Sequence, residues 1–280
     1  MVSIFTILAL CFSLLACFAF PIILCIVFMR KTRPGALPLI MGIIVFIVFA
    51  LILEQIMHWA FLIAIPQTKS ILGSNIWLYA TYGGLAAGIF EEVGRFFAFK
   101  FFLKKKTMWK HGVTYGIGHG GIEALLIVFP VILNSLIYTF LINSGSFDAM
   151  LSPLPQATVD VLLKTKDALL SEPSWYFALG GLERIFTITI QIALSLLVLY
   201  AVSKKKYAFF FLAILLHAAL DFPAALAQGG ILPIYAVEGI VAVCAAVSLI
   251  FILKSKNLFA AIPEVNVPRE PEKLEQQEQE

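Results

Sequence analysis

Twelve ionisable side chains sit in stretches apolar enough to lie in a bilayer: Glu54, His58, Glu91, Glu92, Arg95, His119, Glu123, Glu183, Arg184, His217, Asp221 and Glu238. Near the bilayer centre such a group costs about 2.5–3.5 kcal/mol on insertion scales; it normally faces a protein interior or a watery cavity, and pairs there. The spacing suits pairing. Glu92 and Arg95 are three apart, and Glu91–Arg95, His119–Glu123 and His217–Asp221 are each four apart. Those separations bring side chains onto one helix face. A carboxylate beside a histidine fixes its tautomer and raises its basicity. Glu91 with His119 can take a proton from water as a general base. His217, held by Asp221, can donate to a developing oxyanion. Those are the parts of an amide hydrolase. No GxSxG, no GxGD pair and no cysteine near a histidine offers a rival nucleophile. The same Glu91, His119 and His217 could instead hold zinc as a His₂Glu site with an open water position. The HExxH signal of zinc proteases is absent.

Membrane helices must position these groups. Hydrophobic residues are 61% of the 280 and charged ones 13%, with a mean hydropathy of +0.95; soluble domains are roughly half apolar and a quarter charged. The chain reads as all-α, a polytopic integral membrane helix bundle of about seven to eight transmembrane helices. A span needs about 20 apolar residues. Seven runs qualify, roughly 3–29, 36–65, 76–103, 111–142, 174–202, 207–228 and 232–253. The second and fourth are long enough to tilt, to project or to divide into an eighth helix. Basic clusters follow runs one, three, five and seven; with the tail they hold 15 of the 20 lysines and arginines. Basic residues beside spans mark the cytoplasmic side. The expectation is a multi-pass cell-membrane protein with its N-terminus outside and its C-terminus cytoplasmic, and no nucleic-acid partner.

Counted inward from the basic clusters, Glu91, His119 and His217 lie about 12, 8 and 10 residues deep, roughly 18, 12 and 15 Å at 1.5 Å per residue. Three helices thus bring a glutamate and two histidines to nearly one level in the cytoplasmic half. Glycines at 83, 84, 88 and 94, and at 112, 116, 118, 120 and 121, let helices approach closely. Glu92–Arg95 and Glu183–Arg184 read as supporting ion pairs, and Glu54, His58 and Glu238 as interfacial or pairing groups. Cys11, Cys17, Cys25 and Cys244 form no CxxC and read as small hydrophobes. No basic residue precedes Leu14–Cys17, so the first run reads as a retained span. The domain expected over 1–256 is followed by a tail, 257–280, rich in Pro, Glu and Gln and expected to be disordered. Between spans four and five, "ATVDVLLKTKDALL" reads as an amphipathic helix on the outer leaflet.

"EEVGR" (Glu91–Arg95), "GHGGIE" (Gly118–Glu123) and "HAALD" (His217–Asp221) resemble the motifs of the CAAX-protease and bacteriocin-processing (CPBP) superfamily of intramembrane proteases. The YhfC-type branch, which "GGLERIF" (Gly180–Phe186) also resembles, is the nearest likeness. The resemblance implies an all-α membrane fold, a site open to the cytoplasmic side and a metal-free, glutamate-based mechanism. It makes Glu91 the base that activates water, with His119 assisting, and His217 with Asp221 the oxyanion site. Glu92 and Arg95 become a structural pair. Here the arginine follows the glutamate pair after two residues, where three are common. Asp221 stands where many members have Asn; an ionised Asp cannot donate, so its expected part is to orient His217. Glu123 is an extra companion of His119. The function expected is an intramembrane endopeptidase acting on a membrane-associated peptide or protein, with no cofactor. The alternatives are a zinc-dependent protease on the same residues, a proton-coupled carrier, whose relays use similar buried groups, and an inactive scaffold. No internal repeat of the kind carriers show is visible.

Overall fold

The computed structural model describes residues 1–259, and all secondary structure in them is helical. Six helices are long and apolar enough to cross a membrane: Ile4–Thr32 (span one), Leu37–Ala64 (two), Trp109–Ser144 (four), Ser174–Ser203 (five), Ala208–Gln228 (six) and Ile234–Phe259 (seven). Span three, Ile76–Phe97, has 22 residues, about 33 Å at 1.5 Å per residue, and carries Glu91, Glu92 and Arg95. The protein is a multi-pass helical membrane bundle.

Local chemistry sets the helix ends. Ser3 Oγ accepts from the Thr6 N–H at 3.1 Å and caps span one. Asn75 Oδ1 accepts from the N–H groups of Trp77 and Leu78 at 2.9 and 3.3 Å and caps span three. Such caps satisfy the amides that a helix start leaves unpaired. Span one ends at Arg33 in the left-handed region (φ 44°), just before Pro34. Span six runs through Pro223, two residues beyond Asp221.

Neither long run divides. Span four passes through a π-helical stretch, Ala124–Val128, directly after Glu123, and continues past Pro130. Its 36 residues cover about 54 Å, well beyond a hydrocarbon core of about 30 Å. The far end packs beside the N-terminus, where the Val2 N–H donates to Asn143 Oδ1 at 2.7 Å. The further helices are short: Pro66–Ser74, Phe147–Leu151 and Gln156–Ser171. The last is the amphipathic stretch. Its Leu169 is buried in a cluster with Val2, Leu10 and Ile132, while Leu163 and Leu170 stay exposed. Of the tail expected from 257, the first three residues belong to a 3-10 turn, Lys256–Phe259; the rest lies outside the described residues.

Span five is the central post. Ile188, Leu196, Val198 and Leu199 on it are almost wholly buried, and spans one, four, six and seven pack around it. Span three packs most extensively on span six, and glycine makes that approach possible. A Cβ at Gly84 would lie 2.5 Å from the Ala218 carbonyl oxygen, and one at Gly88 would lie 2.7 Å from that of Ile214. Forcing bulk into a well-packed contact costs typically about 1–3 kcal/mol, and here the obstacle is backbone. Gly84→Leu is therefore expected to lower the yield and melting temperature of detergent-purified protein. Gly83→Leu, next door with nothing within 4 Å, should leave both nearly unchanged.

Candidate active site

Arg95 is wholly buried on span three and reaches three partners at once. Its Nη1 donates to Glu92 Oε1, and its Nη2 donates to Glu91 Oε2 at 3.2 Å and to Gln191 Oε1 of span five. The helical spacing aims both carboxylates at one guanidinium, as the sequence led one to expect. Glu92 has no exposed surface and Glu91 very little.

Two other spans bring histidines to this pair. His119 Nε2 of span four lies 2.7 Å from Glu91 Oε2. His217 Nδ1 of span six lies 2.7 Å from Glu92 Oε1, and its Nε2 lies 3.9 Å from Glu91 Oε2 and 3.5 Å from Asp221 Oδ2. Phe46 of span two packs nearly perpendicular to the His119 ring, with centroids 5.2 Å apart. Glu91, Glu92, Arg95, His119, His217 and Asp221 thus form one cluster drawn from spans three, four and six.

A cavity of about 140 Å³ opens beside it between spans three to seven, with Glu91, His217 and Asp221 on its wall. His119 is fully buried and stands behind Glu91, away from that wall. All the bonds that Glu91 accepts fall on Oε2; Oε1 takes none among the described residues. Glu123, Glu183 and Arg184 line the same cavity. Arg184 Nη1 donates to Glu123 Oε1 at 2.9 Å, and its Nη2 to Glu183. Gln191 joins the two halves: its Nε2 donates to Glu91 Oε2 at 3.3 Å and to Glu123 Oε2 at 2.9 Å.

Two expectations from spacing change. Glu123 does not serve His119; it turns to Arg184 and Gln191, and His119 Nδ1 has no partner among the described residues. An arginine and an amide on span five outcompete a histidine one turn away. The closest carboxylate to His217 is Glu92 of span three, not Asp221 four residues on. Glu92 is therefore the orienting group of His217 as well as the partner of Arg95. Gln191 was missed. Its signal was an amide deep in an apolar span, a group that hydrocarbon does not tolerate unpaired.

Outside this cluster, His58 bridges Glu54 (Nε2 to Oε1, 3.1 Å) and the Tyr82 hydroxyl (Nδ1, 2.8 Å). Glu238 Oε2 is without a partner among the described residues. Among the described residues no three His, Cys, Asp or Glu side chains are arranged to hold a metal ion. The nearest set is Glu91, His119 and His217. In it the shared oxygen, Glu91 Oε2, is already taken by a guanidinium, an imidazole and an amide. As placed, the three do not fit a metal ion.

Residues 16–242 match the family described as YhfC intramembrane metalloprotease. The chain is 42% identical over 245 residues to "Uncharacterized membrane protein YhfC" of Bacillus subtilis (strain 168), a match covering 86% of this chain and 93% of that protein. No solved structure matches. A match across most of the length, taking in spans two to six entire, places every residue of the cluster inside the shared region: the chain belongs to the YhfC family of intramembrane proteases.

Proposed function

We propose that the protein is an intramembrane endopeptidase of the glutamic type, as in the CPBP superfamily, in which Glu91 activates the water that hydrolyses a peptide bond. One observation carries this reading: Glu91 stands on the cavity wall with Oε2 locked by Arg95, His119 and Gln191 and Oε1 free of bonds from the described residues. Water hydrogen-bonded to Oε1 gives up a proton to it as its oxygen attacks the carbonyl carbon, and the proton then passes to the leaving amine. His119 has no access to that water; it acts through Glu91, holding the carboxylate in place. Glu92 fixes His217, whose Nε2 faces the cavity and donates to the oxyanion. For that, His217 must carry both protons, because Nδ1 already donates to Glu92. Three carboxylates lie within 3.9 Å of its nitrogens, the surroundings such a cation needs. Membership in a protease family favours hydrolysis over the carrier reading.

The second reading is a zinc-dependent protease on Glu91, His119 and His217. The family description favours it, and so does one contact. A carboxylate behind a histidine, as Glu92 is behind His217, is the usual support of a metal-bound imidazole. In that reading His217 is neutral and Nε2 is a ligand rather than a donor; zinc would supply a polarised water. The commitment of Glu91 Oε2 to Arg95 and His119 stands against it.

Removing a general base typically costs about 10²–10⁴ in rate. With purified protein and a model membrane peptide, Glu91→Gln is expected to lose cleavage by that factor while remaining folded. Normal cleavage by this variant would sink the proposal. Arg95→Ala should act on folding instead. It leaves Glu92 buried without its cation, at about 3–5 kcal/mol, and little monodisperse protein should survive size-exclusion chromatography. Protein prepared without added metal is expected to cleave and to withstand a chelator. Stoichiometric zinc, with activity lost to chelator and restored by zinc, moves the chemistry to the second reading.

A further inference from the structure

The polar cavity is too small to hold a substrate alone. It measures about 140 Å³, against ~300–1,000 Å³ for sites that enclose small ligands. It adjoins a groove of about 480 Å³ between spans five, six and seven, and Ile190, Leu194 and Leu220 line both. Register on three helices fixes the direction. On span five the cavity is lined up to Leu194 and the groove up to Leu197. On span seven the cavity meets Val237 and Val241, and the groove meets Cys244 to Phe251. Span six runs the opposite way, and there the order reverses: the groove begins at Phe209 and the cavity at His217. All three progressions lead from the cavity toward the helix ends that carry Lys204, Lys205, Lys206 and Lys254. Leu216 and Val247 on the groove are 44% and 62% exposed, so it opens sideways toward lipid.

The groove and the cavity suit different states of one chain. Apart from Cys244 and Ser248 the groove is hydrocarbon, and in lipid every backbone N–H and C=O must be satisfied internally. A helix meets that demand alone and can lay an apolar face into a groove. Thr187 and Asp221 on the cavity wall, and Arg184 Nε, without a partner among the described residues, offer polar groups that an unwound backbone needs. An acyl chain would suit the groove but gains nothing from the charged side chains past Leu220. We propose that the groove seats the apolar helical flank of a membrane-embedded peptide substrate, whose scissile stretch unwinds in the cavity. This rests on the hydrolytic reading of the cavity. The bound flank lies on the side of the scissile bond nearer the basic helix ends.

Cys244 provides the probe. The full-length chain with Cys11, Cys17 and Cys25 changed to alanine keeps it as the sole thiol. In lipid nanodiscs, with Glu91→Gln to prevent turnover, this chain is oxidised with a peptide of about 20 apolar residues bearing one cysteine, moved position by position. Disulfide to Cys244 should appear only at peptide positions three and four apart, one face of a helix. It should fall about tenfold when Ala219→Trp fills the groove. Equal crosslinking at every position, none at any, or displacement of the peptide by a thiol-bearing acyl chain would overturn the proposal. In the chain with all four cysteines, the same peptide without its thiol should slow modification of Cys244 by a small apolar reagent; unchanged modification counts against the groove. Cleavage with Glu91 intact is scored separately. A positional crosslink without cleavage keeps the groove and removes the hydrolytic reading. Cleavage without a positional crosslink does the reverse.

Discussion

A single buried cation holds the centre of this protein together. The Arg95 guanidinium has no exposed surface and lies deep in a helix of spanning length, where an uncompensated charge costs several kcal/mol. Glu92, Glu91 and the Gln191 amide surround it. Each of those groups in turn touches another helix: Glu92 reaches His217, Glu91 reaches His119, and Gln191 reaches Glu123. The register of spans three, four, five and six relative to one another is therefore set by polar contacts radiating from one side chain. In a membrane, apolar faces pack against lipid and protein alike, so such contacts carry more of the specificity than they would in water.

The fold class was legible because bilayer thickness dictates run length, and the seven runs became seven helices. The cluster was legible because ionisable residues are rare in such runs; Glu91, Glu92, Arg95, His119, His217 and Asp221 all lie in it. Partner choice was not. Spacing within a helix tied Glu123 to His119 and Asp221 to His217, yet the closer partners, Arg184 and Glu92, come from other helices. One-dimensional periodicity records which residues share a face and says nothing of what that face meets. The access of His119 was equally hidden. Its depth matched that of Glu91, but depth along the membrane normal does not distinguish the wall of a cavity from the layer behind it.

His217 carries the chemical ambiguity of the site in one proton. With Nδ1 fixed on Glu92, the state of Nε2 decides between a donor for a developing oxyanion and a ligand for a metal. Among the described residues, five carboxylates, Glu91, Glu92, Glu123, Glu183 and Asp221, share the region with two guanidiniums, Arg95 and Arg184. The two readings proposed differ in how that excess of acid is balanced, by a proton on the His217 imidazole or by a metal dication.

Pro223 gives the same helix a mechanical property. A proline has no N–H for the carbonyl four residues earlier, so the Ala219 carbonyl loses its rung, and helices bend most readily at such places. On one side of that joint, span six is clamped backbone to backbone against Gly84 and Gly88, and this clamped half holds His217 on Glu92. On the other side, Leu226 is buried and Gly229 lies close against Ile76 at the start of span three. The lost rung thus falls between two packed halves of span six, and the half that carries His217 draws its alignment from span three rather than from an unbroken helical ladder.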